Sequence, residues 1–179
     1  YAPPEQAPTE DTVPPAISHV FWSPVYVVYG DNITVSAEVL DNVEVSNVEI
    51  WWTNETSPDP ANESMWFKVA ATYDSATGRW VGVIPLGVFN KSYLPLRPDA
   101  VLYGITTIYQ IFIMVVATDT NGNVGKGATM LMNIYDDIDS DYDGMPDGWE
   151  DWFMVGITYY VYGYYLDSQS PNDATGDWD

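Results

Sequence analysis

One stretch of the sequence, residues 139–150, has the residue types and spacing of a calcium site. Carboxylates occupy positions 1, 3, 5, 9 and 12 of this twelve-residue loop, and Gly144 at position 6 permits a sharp turn. Calcium takes about six to eight oxygen ligands, and one loop with this spacing supplies most of them. The predicted ligands are Asp139, Asp141, Asp143, Asp147, Glu150 and the carbonyl oxygen of Met145. The alternative interpretation is an acidic, solvated turn without a metal.

Two features distinguish this loop from a paired helix-loop-helix calcium motif. Pro146 at position 8 has no backbone N–H for pairing with a second loop, and residues 131–135 alternate like a strand. The Asp-x-Asp-x-Asp-Gly-x-x-Asp pattern resembles thrombospondin type 3 repeats and the dockerin-like loops of secreted microbial proteins. The resemblance covers about residues 136–179 and implies a calcium-binding appendage. Candidate ligands for a second ion are Asp167, Asn172, Asp173, Asp177 and Asp179.

The acidic composition excludes several classes of partner. The 179 residues carry a formal net charge of −21, with five Lys plus Arg in total and none after Lys126. Nucleic acids and anionic membranes are therefore not expected partners, whereas cation binding would neutralise part of this charge. The sequence contains no run of about 20 apolar residues, so we expect no membrane insertion within this chain.

Several features indicate an extracellular or cell-surface protein. Four Asn-x-Ser/Thr sequons, typical of secreted glycoproteins, begin at Asn32, Asn54, Asn62 and Asn90. The chain contains no Cys, which excludes a disulfide framework. It begins with Tyr1 rather than Met, so we expect a mature or excised segment whose signal peptide has been removed.

The pattern along the chain predicts three parts. Residues 1–16 are rich in Pro and predict an extended arm or linker. Residues 17–135 predict a β-sandwich, and residues 136–179 the calcium-binding appendage with a Tyr-rich β segment. Short β-type runs bounded by turn residues predict seven strands in the middle part. They are Ile17–Trp22, Asn32–Leu40, Ser46–Thr53, Met65–Tyr73, Arg79–Pro85, Ile108–Thr118 and Gly127–Tyr135.

Seven strands at this spacing, with hardly any helical periodicity, favour an all-β, immunoglobulin-like sandwich. The clearest alternation is in residues 32–39, where apolar and polar side chains take turns. The stretches Asp11–Ile17 and Ala117–Asn123 resemble the first strand and the A-x-D-x-x-G-N hairpin of bacterial and archaeal surface immunoglobulin-like domains. In that hairpin Asp119 and Asn123 are expected to hold the turn through side-chain to backbone hydrogen bonds.

Two further segments have two interpretations each. Leu86–Thr107 is too long for a tight hairpin and is either a functional loop or an irregular connection. Gly156–Tyr165 is uncharged and rich in β-forming residues. Such a segment is either an open edge available for pairing or a strand that folds back on the sandwich.

The sequence gives little support for catalysis, so we expect no enzyme. The one His, His19, lies in the first predicted strand beside Val20, and no Gly-x-Ser-x-Gly motif is present. A carbohydrate-binding or adhesion module of a larger protein is the alternative function, since a β-sandwich can present aromatic rings to surface glycans. The candidate stacking residues are Trp51, Trp52, Trp66 and Trp80.

The combined pattern predicts a secreted, archaeal, calcium-stabilised structural subunit of a filament, pilus-like fibre or surface layer. Its expected partners are copies of itself, joined head to tail through the arm, a sheet edge or the calcium junction. A longer chain with the same modules linked covalently is the competing arrangement.

Overall fold

The computed structural model describes residues 11–88, 94–98, 108–139, 142 and 147. Within them the chain forms ten β-strands and two short 3-10 turns, Glu63–Met65 and Leu86–Val88. The strands are β1 (Ala16–Ser23), β2 (Val27–Val28), β3 (Asn32–Leu40), β4 (Val45–Thr53), β5 (Phe67–Ala70), β6 (Thr72–Asp74), β7 (Arg79–Pro85), β8 (Ile108–Asp119), β9 (Val124–Lys126) and β10 (Met130–Tyr135). No helix in these residues is long and apolar enough to cross a lipid bilayer.

The strands form two sheets that pack against each other through an apolar core. The first sheet has the order β1, β3, β7, β6, and the second has the order β2, β10, β8, β4, β5, with β9 also pairing with β8. Neighbouring strands pair antiparallel, except that β2 runs parallel to β10. The first sheet corresponds to strands A-B-E-D of an immunoglobulin sandwich, and β4, β8 and β10 correspond to C-F-G. The predicted all-β sandwich is confirmed.

The core between the sheets is mainly aliphatic. Along β3, the predicted alternation is confirmed, because Ile33, Val35 and Ala37 are fully buried while the residues between them are partly exposed. The second sheet contributes the facing side chains, among which are Val48, Ile50, Trp52, Ile111, Ile113, Val115, Met132 and Ile134. Burial of this surface is the main favourable contribution to folding.

A second, smaller apolar cluster lies on the outer face of the second sheet. It consists of Trp51, Trp66, Met114 and Val116, with Met65 and Phe112 packed against it. Consecutive residues of a strand point to opposite faces, so Trp51 joins this cluster while Trp52 joins the main core. Strand β8 is consequently buried on both faces over residues 113–117.

One of the predicted strands is divided in the structure, and another is shortened. The predicted strand Met65–Tyr73 is divided because β5 pairs with β4 in the second sheet, whereas β6 pairs with β7 in the first. The chain crosses between the sheets at buried Ala71, whose amide donates a 2.9 Å hydrogen bond to the carbonyl of Val48. A period of two persists through such a crossing, so the pattern does not reveal it. Of the predicted strand Gly127–Tyr135, the structure forms β10 at Met130–Tyr135, while the short strand β9 lies before it at Val124–Lys126.

The sandwich has two ends, set by the two ends of β8. Asp119 closes β8 at one end, beside Val45 of β4, while Ile108 starts β8 at the other end, beside Tyr135 of β10. Twelve residues of strand separate these ends by roughly 35–40 Å. We call them the Asp119 pole and the Tyr135 pole.

The chain enters the sandwich at the Asp119 pole and leaves β10 at the Tyr135 pole. At the entry, the side chain of Asn123 donates a 3.0 Å hydrogen bond to the carbonyl of Asp11. Ala16, the first residue of β1, pairs with Leu40 at the same pole. At the exit, the hydroxyl of Tyr109 donates a 3.4 Å hydrogen bond to the carboxylate of Asp136.

Gly125 allows the entering segment to lie close against β9. A β-carbon at Gly125 would collide with the carbonyl oxygen of buried Pro15. Because the obstacle is backbone, it cannot move aside as the tip of a flexible side chain could. Glycine at this position thus helps to keep the segment that contains Asp11 beside the hairpin that contains Asp119.

We predict that Gly125→Ala lowers the free energy of unfolding by about 1–3 kcal/mol, because the added methyl group forces the Pro15 segment away from β9. The control is Gly78→Ala, where the backbone has φ +70° but the nearest atom to a β-carbon is 4.0 Å away. That variant is expected to cost about 1 kcal/mol, from backbone conformation alone. Urea denaturation measures both. An effect at Gly125 no larger than at Gly78 would contradict the close packing.

Candidate metal centre

Three aspartates from distant parts of the sequence meet at the Asp119 pole. Asp11 precedes β1, Asp41 directly follows β3, and Asp119 ends β8. Each offers one carboxylate oxygen, and no two of these three oxygens are more than 4.8 Å apart. We call this set the aspartate cluster. Among the described residues, these three carboxylates lie close enough together to hold one metal ion.

Each carboxylate is oriented by a turn of its own segment. One oxygen of Asp11 accepts hydrogen bonds of 3.0 Å from the Val13 amide and from the side chain of Asn42. One oxygen of Asp41 accepts the amides of Val43 and Glu44, at 2.9 and 3.0 Å. In both residues it is Oδ1 that closes the turn, which leaves Oδ2 for another partner.

Asp119 is the most enclosed member of the aspartate cluster, with 2% of its surface exposed. Its Oδ1 accepts the amides of Asn121 and Asn123, both at 2.8 Å, and its Oδ2 accepts the Asn123 side chain at 2.7 Å. The predicted side-chain to backbone bonding in this hairpin is therefore confirmed. The same Asn123 amide group also donates to the carbonyl of Asp11, which links two members of the cluster.

The pKa of Asp119 reflects two opposing influences. Burial raises this pKa, and hydrogen bonds from the Asn123 side chain and from the amides of Asn123, Asn121 and Gly122 lower it. The hydrogen bonds outweigh burial, so the pKa of Asp119 lies below its ordinary value. Asp119 is consequently an anion throughout the neutral pH range.

No basic side chain neutralises the aspartate cluster within the described residues. The ion pairs His19–Glu38, Lys68–Glu63 and Arg79–Glu38 include none of the three aspartates. Furthermore, Oδ2 of Asp11 and Oδ2 of Asp41 are buried from solvent and accept no hydrogen bond. Buried carboxylate oxygens without a donor are costly, so their occurrence in two adjacent aspartates calls for a partner.

The predicted calcium loop lies mostly outside the described residues. Of its ligands, Asp139 is half-buried and Asp147 is 8% exposed. The Asp147 amide donates a 2.7 Å hydrogen bond to the carbonyl of Ile138, which closes the chain between them into a loop. The other predicted ligands lie outside the described residues: Asp141, Asp143, Met145, Glu150, Asp167, Asn172, Asp173, Asp177 and Asp179. A calcium ion in this loop stays a prediction.

The tryptophans predicted to stack on glycans are largely enclosed. Trp51, Trp52 and Trp66 are 2%, 3% and 6% exposed, and Trp80 is half-buried against the main core. Trp51 is also covered by two ammonium groups, Lys68 Nζ at 4.1 Å and Lys126 Nζ at 4.8 Å from the ring centre. These rings therefore do not form an exposed stacking platform.

The lone histidine and the sequons occupy surface positions. His19 lies in β1 with φ +47°, at the irregularity between Ser18 and Phe21, and its Nδ1 is 3.0 Å from a carboxylate oxygen of Glu38. The sequon residues Asn32 and Asn62 are exposed and Asn54 is half-buried, while Asn90 lies outside the described residues. Asn62 caps a 3-10 turn by accepting the Ser64 amide.

Comparison with solved structures finds weak likenesses, and one of them is to a bacterial adhesin. It is the crystal structure of the R347E mutant of the SrpA adhesin from Streptococcus sanguinis, at 17% sequence identity and a TM-score of 0.42. The match covers 71% of this chain and spans 60% of the adhesin chain. The sequence matches no protein-family model, and no curated protein matches it.

We predict that the hydrogen bonds to Asp119 stabilise the protein at neutral pH and lose this effect in acid. A folded-state pKa below the unfolded value means that the contribution is fully present above the unfolded pKa, about 3.9. It disappears as the pH falls through the folded pKa. In chelator, Asp119→Asn should therefore be less stable than the parent at pH 7, with the difference shrinking towards pH 3. Urea melts across this range measure it, and a constant difference would contradict the assignment.

Proposed function

We propose that this chain is an extracellular, calcium-stabilised structural or adhesive module that joins neighbouring units of a surface polymer. The observation that carries the proposal is the path of the chain. Its entering segment is held at the Asp119 pole, and its last described strand, β10, ends at the Tyr135 pole. A module with its connections at opposite ends extends a polymer along one axis, whether successive modules are assembled or covalently linked.

Exposed apolar side chains support contacts at both poles. Of the exposed large apolar residues, Val13, Leu40, Val43 and Val124 adjoin the aspartate cluster in the chain. Tyr26, Ile138 and Tyr142 lie next to β10 or in the segment that follows it. Other large apolar side chains are exposed on the strands, namely Phe21, Phe67, Tyr73, Val83 and Leu131, so the apolar groups at the two ends support contacts there without being confined to them. We infer that the occupant of each pole is the opposite pole of another copy.

The sheet edges favour contact through the poles over strand addition. Among the described strands, the edge strands β2, β5 and β6 have two, four and three residues. The fourth edge strand, β1, is interrupted by its irregularity between Ser18 and Phe21. Edge strands that are short or irregular disfavour pairing with a strand of another chain. Of the connectors considered, the calcium junction is therefore better supported than a sheet edge.

Charge explains why calcium would be needed at such a junction. The chain has a net charge of −21, and acidic residues occupy both ends: Asp11, Asp41 and Glu44 at one, Asp136, Asp137 and Asp139 at the other. Two such ends repel each other when they meet. A divalent cation bound at the junction reduces this repulsion and fixes the geometry by its coordination. We therefore propose that the loop 139–150 binds Ca²⁺ close to a subunit junction.

We propose no catalytic role. His19 is exposed and paired with Glu38, and the aspartates of the cluster are engaged in turns. A carbohydrate-binding module is the second candidate function, although its proposed rings Trp51, Trp52 and Trp66 are buried. A glycan array on the soluble protein distinguishes it from a structural module, because the structural module would bind no glycan.

We predict that the purified chain forms linear assemblies in calcium, visible by negative-stain electron microscopy. Deletion of residues 1–10, or Tyr160→Lys with Tyr162→Lys, should leave a folded monomer that assembles poorly. The control is Val83→Lys, which adds one positive charge at an exposed residue inside β7 of the first sheet. A parent chain that stays monomeric at high protein and calcium concentrations would contradict assembly. Filaments unchanged in both test variants would show that neither segment is the connector.

We predict that chelation destabilises the protein through the loop 139–150. At free calcium ten to a hundred times Kd, one site adds about 1.4–2.7 kcal/mol to the free energy of unfolding. EDTA should lower the melting temperature of the parent, and Asp141→Asn with Asp143→Asn should remove part of that response. Glu55→Gln, at an exposed acid outside the loop, serves as the control. An identical calcium response in the parent and the double variant would exclude the loop as a site.

A further inference from the structure

Two buried carboxylate oxygens of the aspartate cluster have no hydrogen-bond donor in the protein. Oδ2 of Asp11 and Oδ2 of Asp41 are buried from solvent, accept no hydrogen bond, and belong to carboxylates that converge with that of Asp119. A buried acceptor normally has a donor, a water molecule or an ion as its partner. For two anionic oxygens beside a third carboxylate, a cation is the partner that also offsets their mutual repulsion.

We propose that Asp11, Asp41 and Asp119 bind one Ca²⁺ at the Asp119 pole. This site uses none of the residues 139–150 and lies at the opposite end of β8, so it is a separate site. It does not depend on the proposed function. A module that never polymerises could still bind calcium here.

The chemistry and spacing of the ligands favour calcium over other common divalent ions. The three ligands are carboxylate oxygens, which hard cations prefer, whereas Zn²⁺ prefers Cys and His. Calcium–oxygen distances of about 2.3–2.6 Å place opposite ligands at most about 4.6–5.2 Å apart, and the three oxygens here lie within 4.8 Å. Mg²⁺ demands near-ideal octahedral geometry and keeps several waters, so it is usually bound through one or two carboxylates and not three. Three converging carboxylates therefore suit calcium better.

The turns around the cluster prepare the carboxylates for the ion. In Asp11 and Asp41, Oδ1 is held by amide groups and Oδ2 is left over. Every hydrogen bond to the Asp119 carboxylate comes from its own hairpin. The three carboxylates are thus fixed before a cation arrives, so binding requires little ordering of side chains. Water molecules would complete the coordination of the ion.

The ion would reinforce the hydrogen bonds that already join three segments of the chain. They are the segment that enters β1, the turn between β3 and β4, and the hairpin between β8 and β9. Asp11 is the first described residue and lies within the Pro-rich residues 1–16. Calcium at this site would therefore tie the start of the sandwich, and with it the root of the N-terminal stretch, to the Asp119 pole.

Asp41→Asn is the most informative variant. Its side-chain oxygen still accepts the Val43 and Glu44 amides, so the turn is retained, while the second oxygen is replaced by an amide group that cannot bind a cation. Glu44→Gln is the matched control, because it removes one negative charge from the same turn at an exposed residue outside the cluster. Both substitutions are made in the full chain.

The first experiment counts calcium ions per chain by equilibrium dialysis with mass spectrometry. We expect Asp41→Asn to bind one Ca²⁺ fewer than the parent, and Glu44→Gln to bind the same number. Asp141→Asn with Asp143→Asn should remove a different ion, so that its loss adds to that of Asp41→Asn. An Asp41→Asn protein that binds as many ions as the parent would overturn the proposal.

The second experiment compares melting temperatures in EDTA and in calcium. In EDTA, Asp41→Asn should be at least as stable as the parent, because it removes an unpaired buried charge; in calcium it should be less stable. This reversal separates a ligand from a turn residue, since a purely structural aspartate would destabilise equally in both buffers. Equal destabilisation overturns the proposal. A parent stabilised as much by Mg²⁺ as by Ca²⁺ at the same concentration overturns the assignment to calcium.

Discussion

The structure depends on the burial of β8 on both of its faces. On the inner face, Ile111, Ile113 and Val115 meet the first sheet across the core, and on the outer face Met114 and Val116 are covered by Trp51 and Trp66. Strands β4 and β10 satisfy its backbone on both edges. A strand enclosed in this way has no freedom to slip in register, because a shift by one residue would exchange its two apolar faces. The ends of β8 therefore define where the two poles lie.

The acidic site at the Asp119 pole is a product of this fixed register. Asp119 is the last residue of β8, and Ser46 of β4 donates hydrogen bonds of 2.9 and 2.7 Å to the carbonyls of Thr118 and Asp119. The hairpin that follows can then present its carboxylate only towards Asp41 and Asp11. Three carboxylates meet at one point because the apolar burial along β8 exceeds their repulsion. The arrangement thus concentrates negative charge at one end, where a cation can act on three chain segments together.

The sequence predicted what depends on local pattern and missed what depends on tertiary contact. The bounds of β3 and β7 agree with the predicted strands, since apolar alternation and turn residues mark both ends. The bonds between Asp119 and Asn123 were likewise predictable from one heptapeptide. By contrast, Asp11, Asp41 and Asp119 each occupied a recognised turn or motif, but nothing in the sequence connects them. The two-residue strand β2 was missed because its short apolar run resembles a turn.

The two poles combine apolar and acidic groups, and this combination has a physical consequence for association. Apolar contact between two copies is favourable in any buffer, so by itself it would give association that does not depend on calcium. Here the exposed apolar residues lie next to carboxylates, as Leu40 and Val43 lie on either side of Asp41 in the sequence. Contact between poles therefore also brings like charges together. Monovalent salt only screens that repulsion, whereas a bound divalent ion both neutralises the carboxylates and orders the segments around them. In the proposed assembly, apolar contact between poles would become favourable mainly where calcium is abundant. On this argument the acids set the conditions for association, and the apolar residues supply its strength.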